Sequence, residues 1–316
     1  MAIEALFLNK FMKIIVGLAL EEIIRKLKFD PQLNDLYVQL DDLYSDPNRA
    51  KIKSLHSDLV SSSNGNFREI GFWLEPLITF PEPNIDWRDL VIEMQETELG
   101  LFNIFYLLEV SRERQHEVND LREWFNSIGS SVNYIRQDDW IHAKIHASKA
   151  FEFSLSDSIE KMREDEHLKG AIDAFRRETE KYFEHIKTFP VRIEIPEDRF
   201  DTIIEVQEVL VELMKKLYLQ HPDRVLSDVI LYPIEKLGVA MHYLTNPNHT
   251  IEGANYELGC ACEHFRRKID NIKDIEKKEW ANNLYKRIEF LFSKLPVKPW
   301  PMRGFGEPGI ESRFED

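Results

Sequence analysis

The chain has 316 residues, of which 43% are hydrophobic and 31% charged, and this composition excludes a disordered chain. Its formal net charge of −15 argues against a general nucleic-acid binder, because an acidic surface repels phosphate groups. The two cysteines, Cys260 and Cys262, are poorly placed to pair on a helix, which excludes a disulfide framework and favours a reducing compartment.

An apolar run occupies residues 14–20, close to the N-terminus. Glu21 and Glu22 follow it at once, and it is far shorter than the roughly 20 residues of a membrane-spanning helix. We therefore expect the run to form the buried part of a first helix. We expect the protein to be cytoplasmic and not to associate with a membrane.

Helix-start signals recur along the chain. Asp30-Pro31 and Asp46-Pro47 each place a capping side chain before a proline that suits the first position of a helix. Pro233 is predicted to end or kink a helix that begins near Pro222, because proline lacks the backbone N–H that would donate the next hydrogen bond of the helix.

Apolar residues recur at spacings of three and four, which is typical of one face of a helix. The clearest set belongs to a helix predicted between about residues 86 and 124: Leu90, Met94, Leu101, Phe105 and Leu108. Because such periodicity is sustained and glycine and proline are few, we predict more than about 60% helix, against a usual third.

A change of period marks the predicted domain boundary. Val191, Ile193 and Ile195 alternate with charged residues, and this period of two indicates an extended segment. We predict an all-α fold in which a helical domain over 1–188 and a helical bundle over 189–294 are joined by this segment. The loop at 81–84 is a candidate sub-boundary within the first domain.

The C-terminal tail, residues 295–316, carries four prolines and three glycines and is predicted to be irregular. Its aromatic residues include Trp300 and Phe305. Because aromatic side chains commonly dominate protein contacts, we predict that these two residues anchor the tail, either on the chain's own helices or in a partner's pocket.

One short motif brings together residues suited to catalysis. Arg136 precedes His142 by six residues, and a helix is predicted to begin between them. An imidazole can act as a general base at neutral pH, and a guanidinium can stabilise charge that develops on a phosphate. A second pair with the same chemistry and similar spacing, Arg49 and His56, shows that such a match also arises by chance.

In the region 90–162 the chain resembles the HEPN superfamily of small helical bundles, whose signature is an arginine, four to six intervening residues, and then a histidine. The resemblance implies metal-independent cleavage of RNA at a dimer interface, as in the catalytic members of that superfamily. It implies that His142 is the catalytic base or acid and that Arg136 clamps the phosphate. Gln137 departs from the superfamily, which usually has Asn, Asp or His after the arginine.

Other chemistry has weaker support in the sequence. Asp138, His142 and His146 fall on one stripe if a straight helix contains them, and adjacent members could share a divalent ion, but a full site needs further ligands. Gly-rich phosphate loops and nucleophile elbows are absent from the sequence. We therefore predict neither a metal site nor a cofactor.

Two functions remain. The favoured hypothesis is a non-catalytic helical interaction protein, such as a subunit, adaptor or regulator, with a protein partner. The alternative is a HEPN-like ribonuclease, or an inactive relative, in a bacterial defence or toxin system; its partners would be RNA and a second copy of the chain.

Overall fold

The computed structural model describes residues 2–79, 86–111 and 115–295. Within these residues 84% are helical, thirteen α-helices are present and no β-strand occurs. The all-α prediction and the predicted helix content are confirmed. None of the helices in the described ranges is long and apolar enough to cross a membrane. The loop 81–84, Trp300 and Phe305 lie outside the described residues.

The chain divides into two compact units between Ile193 and Glu194. This point lies inside the stretch 189–196, which the period-two pattern predicted to be extended, and residues from 190 to 196 form neither helix nor strand. Burial follows the predicted alternation, since Val191 and Ile195 are buried and the charged residues between them are exposed.

The described residues of the N-terminal unit form nine α-helices: α1 (Ala2–Leu27), α2 (Asn34–Ser45), α3 (Arg49–Val60), α4 (Gly65–Leu74), α5 (Trp87–Ser111), α6 (Gln115–Arg136), α7 (Trp140–Ser154), α8 (Asp157–Met162) and α9 (Glu166–Ile186). The most extensive helix–helix contacts are between α6 and α7 and between α5 and α6, while α1 packs on α2 and α4. Trp124 lies fully buried at the centre and donates a hydrogen bond to the hydroxyl of Thr179 at 3.1 Å.

The apolar run near the N-terminus is buried in α1, as predicted. Five of its residues are fully excluded from solvent: Ile14, Ile15, Val16, Ala19 and Leu20. The run is apolar because this part of the helix contacts neighbours on several sides, with α2 and α4 among them.

The two predicted helix starts have different outcomes. The carboxylate of Asp30 accepts the backbone N–H of Gln32 at 3.1 Å, although the turn it caps is a short 3₁₀ helix. The prediction at Asp46 is wrong, because its N–H bonds back to Asp42 and it ends α2. Asn48 caps α3 instead, with its side-chain oxygen accepting the N–H of Lys51 at 3.1 Å.

The described residues of the C-terminal unit form four α-helices: α10 (Phe200–Met214), α11 (Arg224–Thr245), α12 (Ile251–Lys268) and α13 (Ile275–Lys294). Pro233 is buried inside α11, which continues to Thr245, so the helix does not end there and the predicted kink stays a prediction. Among the helices of this unit, α11 makes its most extensive contact with α12. Cys260 and Cys262 lie in α12 as free thiols.

Arg199, which precedes α10, holds the C-terminal end of α11. Its guanidinium donates hydrogen bonds of 3.2–3.5 Å to four backbone carbonyls, those of Tyr243, Leu244, Asn246 and His249. The last carbonyls of a helix have no partner within the helix, and a cation placed there satisfies them and favours the helix dipole.

Candidate functional site

The predicted Arg136–His142 motif spans the turn between α6 and α7. Arg136 is the last residue of α6, and the next backbone bonds close the helix: Asp138 N–H donates to Ile135 at 3.0 Å and Asp139 N–H donates to Tyr134 at 2.9 Å. Asp138 has a φ of 58°, so it occupies the left-handed position of a Schellman turn. An aspartate tolerates this conformation better than most residues, which explains why the helix ends here without glycine.

His142 is held by the residue that caps α7. One carboxylate oxygen of Asp139 accepts the backbone N–H of His142 at 3.2 Å, and the other lies 2.8 Å from the imidazole Nδ1. The hydrogen bond to Asp139 raises the pKa of His142, and the charges of Asp139, Glu22 and Glu69 add to it against the effect of burial. The imidazole is therefore oriented, half-exposed and predisposed to carry a proton.

His146 lies one turn further along α7 and has the opposite tendency. Its ring and that of His142 both stack on Tyr134, with centroid distances of 5.3 and 5.1 Å. Burial lowers the pKa of His146, and the positive charges of Lys149 and His142 lower it further. The two imidazoles on one tyrosine thus favour different protonation states.

Arg136 is exposed, and its charge acts on a different group. Burial raises the pKa of Glu98, and the guanidinium of Arg136 opposes that rise. In the described part of the chain no hydrogen bond or ion pair joins Arg136 to His142. The charges that act on His142 are carboxylates, from α1 (Glu22), α4 (Glu69) and Asp139, so its setting is acidic.

Asp138, His142 and His146 do not lie together on one stripe of a straight helix. Asp138 lies before α7, in the turn, and its carboxylate accepts the indole N–H of Trp140 at 2.6 Å. Across the described residues, no group of three or more His, Cys, Asp or Glu side chains is arranged to hold a metal ion.

A polar pocket of about 160 Å³ lies between α1, α4 and α7, next to the acidic setting of His142. Lys26 bridges it by donating to Glu69 at 2.8 Å. Glu152 and Ser148, which line the pocket, both bind the buried guanidinium of Arg68. The Lys26–Glu69 and Arg68–Glu152 pairs connect the three helices and engage three of the charged groups that line the pocket, Lys26, Glu69 and Glu152.

A second ion pair lies deeper in the same unit. The ammonium of Lys144, in α7, is fully buried and donates to Glu75 at 2.5 Å and to the carbonyl of Lys187 at 3.1 Å. The other oxygen of Glu75 lies 3.9 Å from Nε2 of His56. His56, the histidine of the second Arg–His pair, is therefore a buried residue beside a carboxylate, and this position favours a role in stabilising the fold over a role in catalysis.

The clearest surface feature is an apolar face on α5. The predicted buried face is confirmed for Leu90, Met94, Leu101 and Phe105, which pack in the core of the N-terminal unit. A second set of large apolar side chains on the same helix is 43–70% exposed, and we name it the α5 stripe: Ile92, Leu99, Phe102, Tyr106 and Leu107.

Sequence reasoning missed the α5 stripe, although a signal for it exists. Ile92, Leu99 and Tyr106 recur at intervals of seven, but a helix with apolar residues on two faces can bury either of them. Sequence reasoning also missed the Arg68–Glu152 and Lys144–Glu75 pairs, whose partners are many residues apart.

The comparisons with known proteins identify no relative: no family model, no curated protein and no solved structure matches this chain.

Proposed function

We propose that this chain is a non-catalytic helical interaction protein, a subunit, adaptor or regulator, and that it binds its protein partner through the α5 stripe. The observation that carries the proposal is the exposure of five large apolar side chains on one helix. Two neutral amides, Gln95 and Asn103, are exposed among them, and the carboxylate of Glu96 is exposed one turn after Ile92.

The size of the stripe supports a binding role. If each side chain exposes roughly 100 Å², about half of what a large residue can bury, the stripe presents about 500 Å². A patch of this size is comparable with the largest apolar patch on a typical monomer, roughly 300–600 Å², and such patches are often functional. The spacing of seven between Ile92, Leu99 and Tyr106 is the spacing at which one helix contacts another. The expected ligand is therefore the apolar face of a helix.

The HEPN-like ribonuclease is the second candidate, and the bond between Asp139 and His142 favours it. An oriented, half-exposed imidazole is a suitable general base or acid. The charges around it count against this function, because Asp139, Glu22 and Glu69 repel a phosphate. Arg136, the proposed phosphate clamp, acts on Glu98.

Site-specific photo-cross-linking tests the binding surface. A benzophenone amino acid replaces Leu99 in one version of the chain and Leu155, an exposed leucine at the end of α7, in a matched control. We expect an adduct from position 99 and none from position 155. The captured protein is then purified, and Leu99→Glu should weaken its binding at least about tenfold, while Leu155→Glu should not. Equal labelling from both positions, or equal affinity of both variants, would refute this surface.

A nuclease assay tests the second candidate. We expect no RNA cleavage by the purified wild-type chain above the level of the His142→Ala variant, with chelator present throughout. Metal-independent cleavage that disappears in His142→Ala, while circular dichroism shows an unchanged fold, would establish the ribonuclease and overturn the non-catalytic proposal.

A further inference from the structure

The outer side of the α11–α12 pair carries aromatic side chains that remain partly exposed. On α11, Tyr232 and Val239 lie two turns apart and are 37% and 40% exposed. On α12, Tyr256 is 57% exposed, and the imidazole of His264 stacks on Tyr232 at a centroid distance of 4.8 Å. We name this surface the α11–α12 face: Tyr232, Val239, Tyr243, Tyr256 and His264.

Close packing between the two helices joins these side chains into one surface. Lys236 of α11 pairs with Glu257 of α12 at 2.9 Å, and its ammonium lies 5.3 Å from the ring centroid of Tyr232. The ring of Tyr243 lies so near Gly253 that a Cβ there would meet it at 2.7 Å. Glycine at this position therefore lets the tyrosine of α11 lie directly against the backbone of α12.

Tyr256 completes the face on the side of α12. It follows Gly253 by three residues, about one turn, so the two residues lie on the same side of the helix. A hydrogen bond with the side chain of Cys260 raises the pKa of Tyr256, and the charge of Lys236 opposes that rise. The exposed ring therefore has α11 on one side and the thiol of Cys260 one turn further along α12.

The described part of the chain ends close to this face. Leu295, the last described residue, is buried, and the side-chain amide of Asn255 donates to its carbonyl at 3.4 Å and to that of Phe292 at 3.1 Å. Asn255 directly precedes Tyr256, so the chain leaves α13 against the first half of α12. Leu295 has a φ of −75° and a ψ of 135°, which are the dihedral angles of a polyproline II segment.

The sequence that follows suits the continuation of such a segment. Residues 296–316 lie outside the described residues, and their first part places Pro296, Pro299 and Pro301 around Trp300. Proline fixes φ near the polyproline II value, so this stretch has little conformational entropy to lose on docking. Surfaces that bind polyproline II segments are lined with aromatic side chains, as the α11–α12 face is.

The distance permits the contact. Trp300 lies five residues beyond Leu295. At roughly 3.1 Å per residue, a polyproline II segment of that length spans about 15 Å. An α-helix with its side chains is about 10–12 Å across. Trp300 can therefore pass over α12, and Tyr256 is the first ring of the face on that path.

We infer that the α11–α12 face binds the chain's own proline-rich segment, residues 296–301, with the indole of Trp300 packed against Tyr256. The segment acts as a strap that covers Cys260 and shields the aromatic rings from solvent. Because the face holds one segment at a time, the docked strap excludes proline-rich segments of other proteins. The face belongs to the C-terminal unit and is distinct from the α5 stripe, so the strap does not depend on the proposed function.

Labelling of the two native thiols with a maleimide tests whether the face is covered. Trp300→Ala in the full chain should speed the labelling of Cys260 at least about tenfold, the change expected if docked molecules outnumber open ones by about ten to one. Cys262 is the internal control, because burial raises its pKa to about 12 and it lies outside the strap's path. Its rate should not change.

Deletion of residues 296–316 should have the same effect on Cys260, and circular dichroism checks that both variants fold. An unchanged rate at Cys260 in both variants would overturn the strap. Equal acceleration at Cys260 and Cys262 would overturn it as well, since the whole unit would then have loosened.

Fluorine NMR tests which ring the indole contacts. The tryptophans are replaced by 5-fluorotryptophan, and Trp300→Phe identifies the signal of residue 300. Tyr256→Ser should move this signal to its position in a free peptide of residues 296–316. Phe290→Ser is the matched control, because Phe290 is also 57% exposed but lies on α13, and it should leave the signal in place. The same response to both variants would overturn the assignment of Tyr256.

Dilution separates a strap within one molecule from docking between molecules. Protection of Cys260 by the chain's own segment is independent of protein concentration, because the segment and the face are covalently linked. Constant protection between about 100 and 1 µM would support the strap. Protection that disappears on dilution would show that the segment of another copy occupies the face and would overturn the intramolecular docking.

Discussion

Replacing Lys144 by methionine tests the buried ion pair that ties α7 to the turn after α4. The ammonium is 0% exposed and Glu75 is 2% exposed, so removing the cation leaves a carboxylate in the interior without its closest partner. Breaking such a pair from one side costs about 3–5 kcal/mol, a large share of the 5–15 kcal/mol that stabilises a typical domain. For a unit of this size, that loss corresponds to a fall in Tm of about 6–20 °C.

Urea unfolding followed by circular dichroism measures the free energy, and hydrogen exchange of peptides from α7 and α9 assigns the loss to the N-terminal unit. The matched control is Lys181→Met, which removes an exposed lysine 3.1 Å from Glu93 and should cost less than about 1 kcal/mol. In the double variant Lys144→Met/Glu75→Gln, most of the loss should be recovered, because no buried charge remains. A loss in Lys144→Met no larger than in the control would refute this reasoning.

Two further predictions concern protonation and the C-terminal unit. In an NMR titration, His142 should ionise above the usual pKa of about 6.5 and His146 below it, and Asp139→Asn should lower the pKa of His142. Because the folded pKa of His142 is raised, its stabilisation is complete below about pH 6.5 and is lost as the pH rises through the folded value; a His146 that ionises above His142 would contradict this. Arg199→Met should destabilise the C-terminal unit by about 1.5–3 kcal/mol and speed amide exchange at 243–249, since it leaves carbonyls unpaired; unchanged exchange there would contradict the capping role.

Helix content and burial of the strongest apolar runs could be predicted because they depend on local pattern. The run in α1 and the inner face of α5 each carry enough apolar residues at helical spacing to determine a helix and a buried side. The extended segment at 189–196 was also predictable, because a period of two is incompatible with a helix.

Helix ends were less predictable, since several nearby residues can serve as caps. Asp46 and Asn48 are both good capping residues, and the structure uses the second because Asp46 still bonds back into α2. The spacing of Asp138, His142 and His146 suits one stripe of a helix, yet Asp138 occupies a left-handed turn that separates two helices. At Pro233 the helix continues although the proline removes one hydrogen bond of the backbone, so its local preference to end a helix does not decide the outcome.

Composition and the spacing of apolar residues predict an acidic, helical chain with an extended segment at 189–196, because both are properties of short stretches. Which charged groups meet depends on the tertiary structure. Arg68 binds Glu152 across 84 positions and Lys144 binds Glu75 across 69, and no local pattern encodes such a distance. Tertiary packing also decided which apolar face of α5 is buried and which is exposed, because both faces have helical spacing and only the neighbours α6 and α9 distinguish them.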